Sequence, residues 1–320
     1  MIFSNSQALL QSSFDSAENL IKDRAVSFYD AFSLLPQDLF RAVAVVYAFC
    51  RTADDIADQA QPSETEHTLQ RLLDLEDMIK TIFSKKDDRL LKLTKSYQNF
   101  SWLPAFVHTI ERFDLPMKPF LDQLEGQRMD VSFSKIENMD QLITYSRKVA
   151  GSVGVMLLPL FVLDRETANM VNLREACEHL GIAMQITNIL RDVGEDLSLR
   201  NRVYLPETLL LEYGITTEML RILVNNKNEK NIDVPLNFIQ MWEHLAEIAD
   251  DYYRDIEAWL CYIHPDCRIP LLASARIYRA IANAVRSNGY NCFTVRCYTS
   301  HAERVAIRQE IGRVIQLLDC

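Results

Sequence analysis

Residues 180–196 read LGIAMQITNILRDVGED, and the spacing within this stretch indicates the fold. Its polar residues recur at steps of three and four, which places them on one face of a helix, with an apolar face beside them. The helix therefore buries one face and lines a space with amides and carboxylates. The polar face consists of Gly181, Gln185, Asn188, Asp192 and Asp196.

A second acidic stretch lies nearer the N-terminus. Pro36 and Asp38 predict the start of a helix, with Asp38 as its cap. One face of this helix is apolar at first, amphipathic in the middle and charged at the end. Because the other faces are apolar too, we expect a buried helix whose carboxylates need cations. The face consists of Phe40, Ala44, Tyr47, Arg51, Asp54 and Asp58.

The two stretches share one spacing of carboxylates. Asp54 and Asp58 are four residues apart, as are Asp192 and Asp196, so each pair points one way from its helix. One such pair is common by chance, but two pairs on apolar helices predict carboxylates that face each other across a cavity. Such a cavity holds about two or three Mg²⁺ ions against a diphosphate, so that a carbon–oxygen bond can ionise.

The composition favours helices along the whole chain. The 320 residues include only 8 Gly and 10 Pro, too few turn formers for an all-β fold, and 48% are apolar. We therefore predict an all-α protein with a single domain over residues 1–320. Two smaller helical domains joined near residues 225–235 are the alternative.

Charge and hydropathy limit the partners. The net charge of −10 argues against nucleic acid. The longest apolar run, residues 153–163, is shorter than the roughly 20 residues that cross a membrane. Seven scattered cysteines without a CxxC pair are expected to be reduced thiols. We predict a cytoplasmic protein, and peripheral contact with a membrane stays open.

Several segments between residues 20 and 305 resemble the squalene/phytoene synthase family, the head-to-head prenyl synthases. The longest and most specific is QITNILRDVGEDLSLRNRVYLP at 185–206, in which Arg-x-Tyr-x-Pro follows the acidic run. The others are SFYDAFSLLP (27–36), AFCRTADDIAD (48–58), YSRKVAGSVG (145–154), ARIYRAI (275–281) and NGYNCFTVR (288–296).

The resemblance implies an all-α fold of the isoprenoid synthase type with a central cavity, and it implies Mg²⁺ and two isoprenoid diphosphates. On the matching positions, the metal ligands are Asp54, Asp58, Asn188, Asp192 and Asp196. The implied catalytic residues are Asp54, Asp58, Asp192, Asp196, Tyr145 and Arg51. The implied substrate-binding residues are Ser27, Phe28, Phe32, Tyr47, Arg51, Gln185, Asn188, Tyr278 and Arg296. Arg24 stands where the family often has His, which leaves its role open.

The reaction implied is the 1′-1 condensation of two farnesyl diphosphates, through presqualene diphosphate, to dehydrosqualene, a carotenoid precursor. The bulk of Phe32 beside the tunnel favours this C15 substrate, whereas the small Ala44 argues mildly for a longer one. The alternatives are phytoene synthesis from two geranylgeranyl diphosphates and NADPH-dependent squalene synthesis. No GxGxxG follows a predicted strand, so NADPH is not expected. A helical scaffold without activity would not need carboxylates on apolar helices.

Overall fold

Helices make up the protein in the computed structural model, which describes residues 2–59, 64–84, 97, 99–168, 170–226 and 232–316. No β-strand occurs in these ranges, and an isolated β-bridge joins Val162 to Ile263. The first half contains α1 (Ile2–Arg24), α2 (Val26–Phe32), α3 (Gln37–Asp58), α4 (Thr65–Ile82), α5 (Leu103–Phe113), α6 (Met117–Val131) and α7 (Met139–Ser146).

The second half continues through a short π-helical turn at Arg147–Gly151. After it come α8 (Ser152–Phe161), α9 (Arg165–Ala168), α10 (Val171–Arg191), α11 (Val193–Arg200), α12 (Glu207–Glu212) and α13 (Thr217–Asn225). The chain ends in α14 (Leu236–Asp255), a 3₁₀ segment (Ile256–Tyr262), α15 (Pro265–Ser287) and α16 (His301–Gln316). The prediction of an all-α fold is confirmed.

The first acidic helix, α3, begins two residues before the predicted position. Pro36 is the N-cap, and its fixed φ leads the chain into the helix. The prediction that Asp38 caps α3 is wrong, since Asp38 lies within the first turn. There its carboxylate accepts the backbone N–H of Leu39 at 3.0 Å and pairs with Arg112 at 2.7 Å. Negative charge in the first turn still favours the helix.

The second acidic stretch is not one helix as predicted, because α10 ends at Arg191 and α11 starts at Val193. Asp192 between them has φ −105° and ψ 15°. The neighbouring Gly194 explains the break: its N–H donates to Cys292 O at 2.9 Å, and a Cβ there would lie 1.8 Å from Phe293 O. The segment around residue 293 therefore holds the start of α11 away from the axis of α10.

The buried apolar residues form one cluster that extends from Ala17 to Ile311. Across the stretch where two domains might have joined, α14 packs on α10. Trp242 Nε1 donates to Leu190 O at 3.1 Å, and the hydroxyls of Thr187 and Tyr253 are 3.0 Å apart. These contacts join helices from the two sides of residues 225–235, of which residues 227–231 lie outside the described ranges, and the single domain stays a prediction.

The cysteines depart from the prediction at one position. Cys50, Cys177, Cys267, Cys292 and Cys297 are free thiols. Cys261 is disulfide-bonded, so the expectation that all seven are reduced is wrong there. Across the described helices, none is both long and apolar enough to traverse a bilayer.

Two glycines allow α10 to approach the segment that contains the π turn and α8. A Cβ on Gly181 of α10 would lie 2.2 Å from Ala150 O, and a Cβ on Gly154 of α8 would lie 2.0 Å from Cys177 O. Both distances are far below van der Waals contact, so no other residue fits without moving a backbone. This crossing sets the spacing of the walls of the cavity described below.

We expect Gly181→Ala to lower the free energy of unfolding by about 1–3 kcal/mol, because the added methyl group meets backbone that cannot yield locally. Urea denaturation followed by circular dichroism measures the change. Gly312→Ala is the matched control, since a Cβ there meets nothing within 4 Å on α16. The control should be neutral or stabilising by up to about 1 kcal/mol. Equal losses in both variants would contradict the close approach.

Candidate active site

A cavity between α2, α3, α6, α8, α10 and α15 runs from an apolar end to a charged end. Along α3, its wall changes from Val43 through Tyr47 to Arg51 and Asp54. At 1.5 Å per residue, this face extends over about 16 Å. Along α10, the wall changes from Cys177 to Asn188. On each of these two helices, residues spaced three and four apart thus form a cavity wall that is apolar at one end and polar at the other.

Aromatic rings form the apolar end. Phe32 and Phe161, both almost fully buried, stack with centroids 5.7 Å apart and planes 5° apart. Phe28 packs on Phe32 at 4.5 Å and lies 6.1 Å from Tyr47. All four rings line the cavity. An apolar ligand that enters from the charged end therefore meets the Phe32–Phe161 stack.

Arg51 and Asp54 stand where the cavity becomes polar. Arg51 pairs with Asp54 at 3.2 Å and also with Asp55. Its Nε is buried and finds no hydrogen-bond partner within the described part of the chain. Oε1 of Gln123 and of Gln127, on the opposite wall, is unsatisfied in the same way. Buried polar atoms without partners are rare, so this end of the cavity suits a polar ligand.

The two acidic stretches meet at one guanidinium. Arg200, the last residue of α11, donates from Nε and Nη2 to the two carboxylate oxygens of Asp58 at 2.9 and 2.7 Å. Its Nη1 lies 3.4 Å from Asp196 Oδ1. Asp58 of α3 and Asp196 of α11 therefore flank the same cation, and the two stretches face each other as the spacing predicts.

Asp192 binds two further arginines. Arg191 donates to both its oxygens at 2.7 and 2.5 Å, and Arg296 lies 3.0 Å from Oδ1 and 3.1 Å from Oδ2. Arg296 also reaches Glu195 at 3.1 Å. The Asp192 side chain is only 12% exposed, and these charge-assisted contacts provide partners for both of its oxygens.

Burial and mutual repulsion oppose ionisation at this end. The pKa of Asp54 is raised to about 7, first by burial and then by Asp58, against the opposing effect of Arg51. The pKa of Asp196 is also raised to about 7, by burial and then by Asp192. A site that raises the pKa of several carboxylates has a strong demand for cations.

Asp130 of α6 is the centre of a buried network beside these carboxylates. Tyr145 donates to both its oxygens at 3.0 Å, and Tyr204 donates to Oδ1 at 2.7 Å. Arg202 lies 3.8 Å away. Burial raises the pKa of Asp130 to about 6, while Arg202 and the two tyrosine hydroxyls act to lower it.

The predicted site residues fall into three groups. Seven of them line the cavity: Phe28, Phe32, Tyr47, Arg51, Asp54, Asn188 and Tyr278. Asp58, Asp192, Asp196 and Arg296 join them at the charged end through the arginine contacts. Three others do not line the cavity: Ser27, Tyr145 and Gln185. Of these, Tyr145 is 3% exposed and bound to Asp130.

The donor set at the charged end fits Mg²⁺. Carboxylate and amide oxygens are the hard ligands that this ion takes, and it uses few of them when a phosphate supplies the rest. Within the described ranges, no three His, Cys, Asp or Glu side chains already converge as a finished metal site. Guanidinium groups lie between the carboxylates instead, so the unliganded protein neutralises them with arginine.

Sequence reasoning missed Asp130, Arg191 and Arg200. Asp130 follows Gln123 and Gln127 at steps of four and three on α6, and all three are buried. That polar stripe is visible in the sequence and could have identified it. Arg191 and Arg200 flank the second acidic run, but their partners depend on the break at Asp192, which no sequence spacing shows.

Comparison with known proteins identifies the family of this chain. The squalene/phytoene synthase family model matches residues 21–307. A chloroplastic phytoene synthase from an Oncidium hybrid cultivar is 32% identical over 307 residues, covering 95% of this chain and 69% of its own. Phytoene synthase from Arthrospira platensis is 30% identical over 294 residues, covering 89% of this chain and 88% of its own.

Solved structures of similar proteins point to the same family. A dehydrosqualene synthase crystallised with a ligand is 32% identical, with a TM-score of 0.79, covering 97% of this chain and 98% of that chain. A squalene synthase from Alicyclobacillus acidocaldarius, at 22% identity and a TM-score of 0.70, shares the fold. The chain belongs to the squalene/phytoene synthase family, whose members are prenyltransferases.

Proposed function

We propose that this protein condenses two farnesyl diphosphates head to head, through presqualene diphosphate, to dehydrosqualene. The observation that carries the proposal is the cavity itself, which is apolar and aromatic at one end and acidic at the other. A prenyl chain suits the first end and a metal-bound diphosphate suits the second. Family membership and the 32% identity to a dehydrosqualene synthase support the same reaction.

At the charged end, we assign Asp54, Asp58, Asn188, Asp192 and Asp196 as the residues that would hold Mg²⁺. Mg²⁺ supplies charge neutralisation of the departing diphosphate. The orphaned Nε makes Arg51 a diphosphate-binding residue, because a planar guanidinium pairs well with phosphate oxygens. Arg296 reaches the same end, where it pairs with Asp192 in the unliganded protein.

Along the cavity, aromatic residues orient the prenyl chains and exclude water. Phe28, Tyr47 and Tyr278 line the wall between the two ends, where ring faces can stabilise a carbocation by about 2 kcal/mol when it is desolvated. Tyr145 does not face the cavity in the unliganded protein. We assign Asp130 as a positioning residue that holds the hydroxyls of Tyr145 and Tyr204 in place.

Substrate length is set at the apolar end. The stacked rings of Phe32 and Phe161 line the cavity there, and their bulk favours C15 over C20 chains. Phytoene synthesis from two geranylgeranyl diphosphates is the second candidate, because phytoene synthases are 30–32% identical to this chain. The small Ala44 does not argue for this candidate, because it is buried on α3 and does not line the cavity. The cytoplasmic location, the membrane contact and the absence of an NADPH step stay predictions.

Incubation of the purified protein with C15 or C20 diphosphate and Mg²⁺, with and without NADPH, tests the product. We expect dehydrosqualene from the C15 substrate, identified by mass spectrometry, regardless of NADPH. Phe32→Ala should raise the ratio of C20 to C15 turnover by about tenfold or more, since removing the ring lengthens the cavity. Phe113→Ala, which removes a ring outside the cavity, is the control. Wild-type protein that consumes only the C20 substrate would make this a phytoene synthase.

Asp54→Asn should lower turnover at least about a hundredfold, because loss of one anionic ligand weakens neutralisation of the leaving diphosphate by several kcal/mol. Release of inorganic diphosphate measures the rate. Asp122→Asn is the matched control, since that carboxylate pairs with Lys118 at 2.5 Å on the outer side of α6. Near-normal turnover of Asp54→Asn at saturating Mg²⁺ would remove Asp54 from the metal site.

Asp130 makes stability depend on pH. Its pKa of about 6 in the folded protein exceeds its ordinary value of 3.8, so the folded state holds this proton more tightly. The contribution of Asp130 to the free energy of unfolding is therefore complete below a pH of about 4, and it is lost as the pH rises through about 6. Urea denaturation in EDTA should show wild type losing about 2–3 kcal/mol more than Asp130→Asn over this interval. If the free energy of unfolding of the two proteins changed equally with pH, the raised pKa of Asp130 would be contradicted.

A further inference from the structure

We propose that Arg200 is a positioning residue that holds the two acidic stretches together in the unliganded protein and must release Asp58 when a divalent cation binds. The proposal rests on the proposed function, because it takes Asp58 and Asp196 as metal ligands. It assigns to Arg200 a role in metal affinity that is separate from contact with substrate.

The contacts of Arg200 distinguish it from the other arginines of the site. In the described ranges, its ion pairs are the ones that join α3 to α11. Arg51 pairs within α3, whereas Arg191 and Arg296 meet at Asp192. Arg202, two residues further on, lies 4.0 Å from Asp58 and forms its hydrogen bond with Tyr204 instead.

The guanidinium of Arg200 donates hydrogen bonds to both carboxylate oxygens of Asp58, at 2.9 and 2.7 Å. A guanidinium that spans a carboxylate in this way occupies both oxygens that Asp58 would offer to a cation. A divalent ion at that place would also lie within a few ångströms of a positive charge, which repels it. Metal binding between α3 and α11 therefore requires that the Arg200 guanidinium move away from Asp58.

The position of Arg200 in the fold allows this movement. Helix α11 ends at Arg200, and Asn201 adopts the left-handed conformation with φ 51°. The Arg200 side chain is 25% exposed, so a guanidinium that leaves Asp58 has solvent within reach. Asp58 and Asp196 stay in place on their helices, with side chains 27% and 17% exposed.

Replacement of the Arg200 guanidinium should change stability and metal affinity in opposite directions. Without metal, Asp58 loses its bidentate partner at an end of the cavity that also holds the carboxylates of Asp54 and Asp196. The metal-free protein should therefore unfold at a lower temperature. With metal, the same carboxylate is available without competition, so the affinity for a divalent cation should rise. A merely structural arginine would lower stability without raising metal affinity.

Mn²⁺ titration of the full chain without substrate, followed by the electron paramagnetic resonance of free Mn²⁺, tests the proposal. We expect Arg200→Gln to lower the Kd of the tightest site by about fivefold or more relative to wild type. Arg202→Gln is the matched control, since it removes the same charge near Asp58 but no hydrogen bond to it. Arg200→Gln should also have a lower Tm in EDTA and a larger rise in Tm on addition of Mn²⁺.

The outcomes separate this proposal from the proposed function. If Asp58→Asn binds Mn²⁺ as tightly as wild type, Asp58 is not a metal ligand and the assigned site is wrong. If Asp58→Asn binds more weakly but Arg200→Gln binds no more tightly than Arg202→Gln, the role of Arg200 is overturned. Should Arg200→Gln lack helical circular dichroism, Arg200→Lys replaces it. Lysine keeps the charge but cannot span both oxygens, so a Kd equal to that of wild type would then overturn the proposal.

Discussion

Several carboxylates packed at one end of an apolar cavity cannot all ionise unless cations neutralise them, and the rest of the site depends on this constraint. The protein meets it with guanidinium groups: Arg51 on Asp54, Arg200 on Asp58, and Arg191 with Arg296 on Asp192. These pairs join the walls at the charged end. Under the proposed function, the same demand for cations favours a metal-bound diphosphate.

The constraint explains why the backbone is packed so closely around the site. Carboxylates on α3 and α11 can share one guanidinium only if the helices are held in a fixed relation. Gly181 brings α10 against Ala150, and Gly194 fixes the start of α11 against Phe293. Neither position tolerates a side chain. The glycine-poor composition therefore reflects a chain that keeps several of its few glycines for places where two backbone segments touch.

The sequence predicts the parts of the site that depend on helical spacing. The face of α3 from Tyr47 to Asp54 and the cavity-facing Asn188 of α10 lie where steps of three and four place them. It does not predict the break at Asp192, because that break comes from a backbone contact with residues a hundred positions later. Arg200, the partner of Asp58, was missed because an ion pair between residues 142 positions apart has no signature in local spacing.

The two ends of the cavity can change independently of each other. Phe32 and Phe161 lie at the apolar end, and Asp54 lies at the charged end, about three helical turns along α3 from Val43. Under the proposed function, rings at the apolar end affect how long a prenyl chain fits, whereas the acidic end affects whether a carbon–oxygen bond ionises. Phe32 and Phe161 carry no charge, so a substitution at either ring leaves the ion pairs of the acidic end in place. On this proposal, a change of substrate length therefore requires no change in the carboxylates and arginines of the other end.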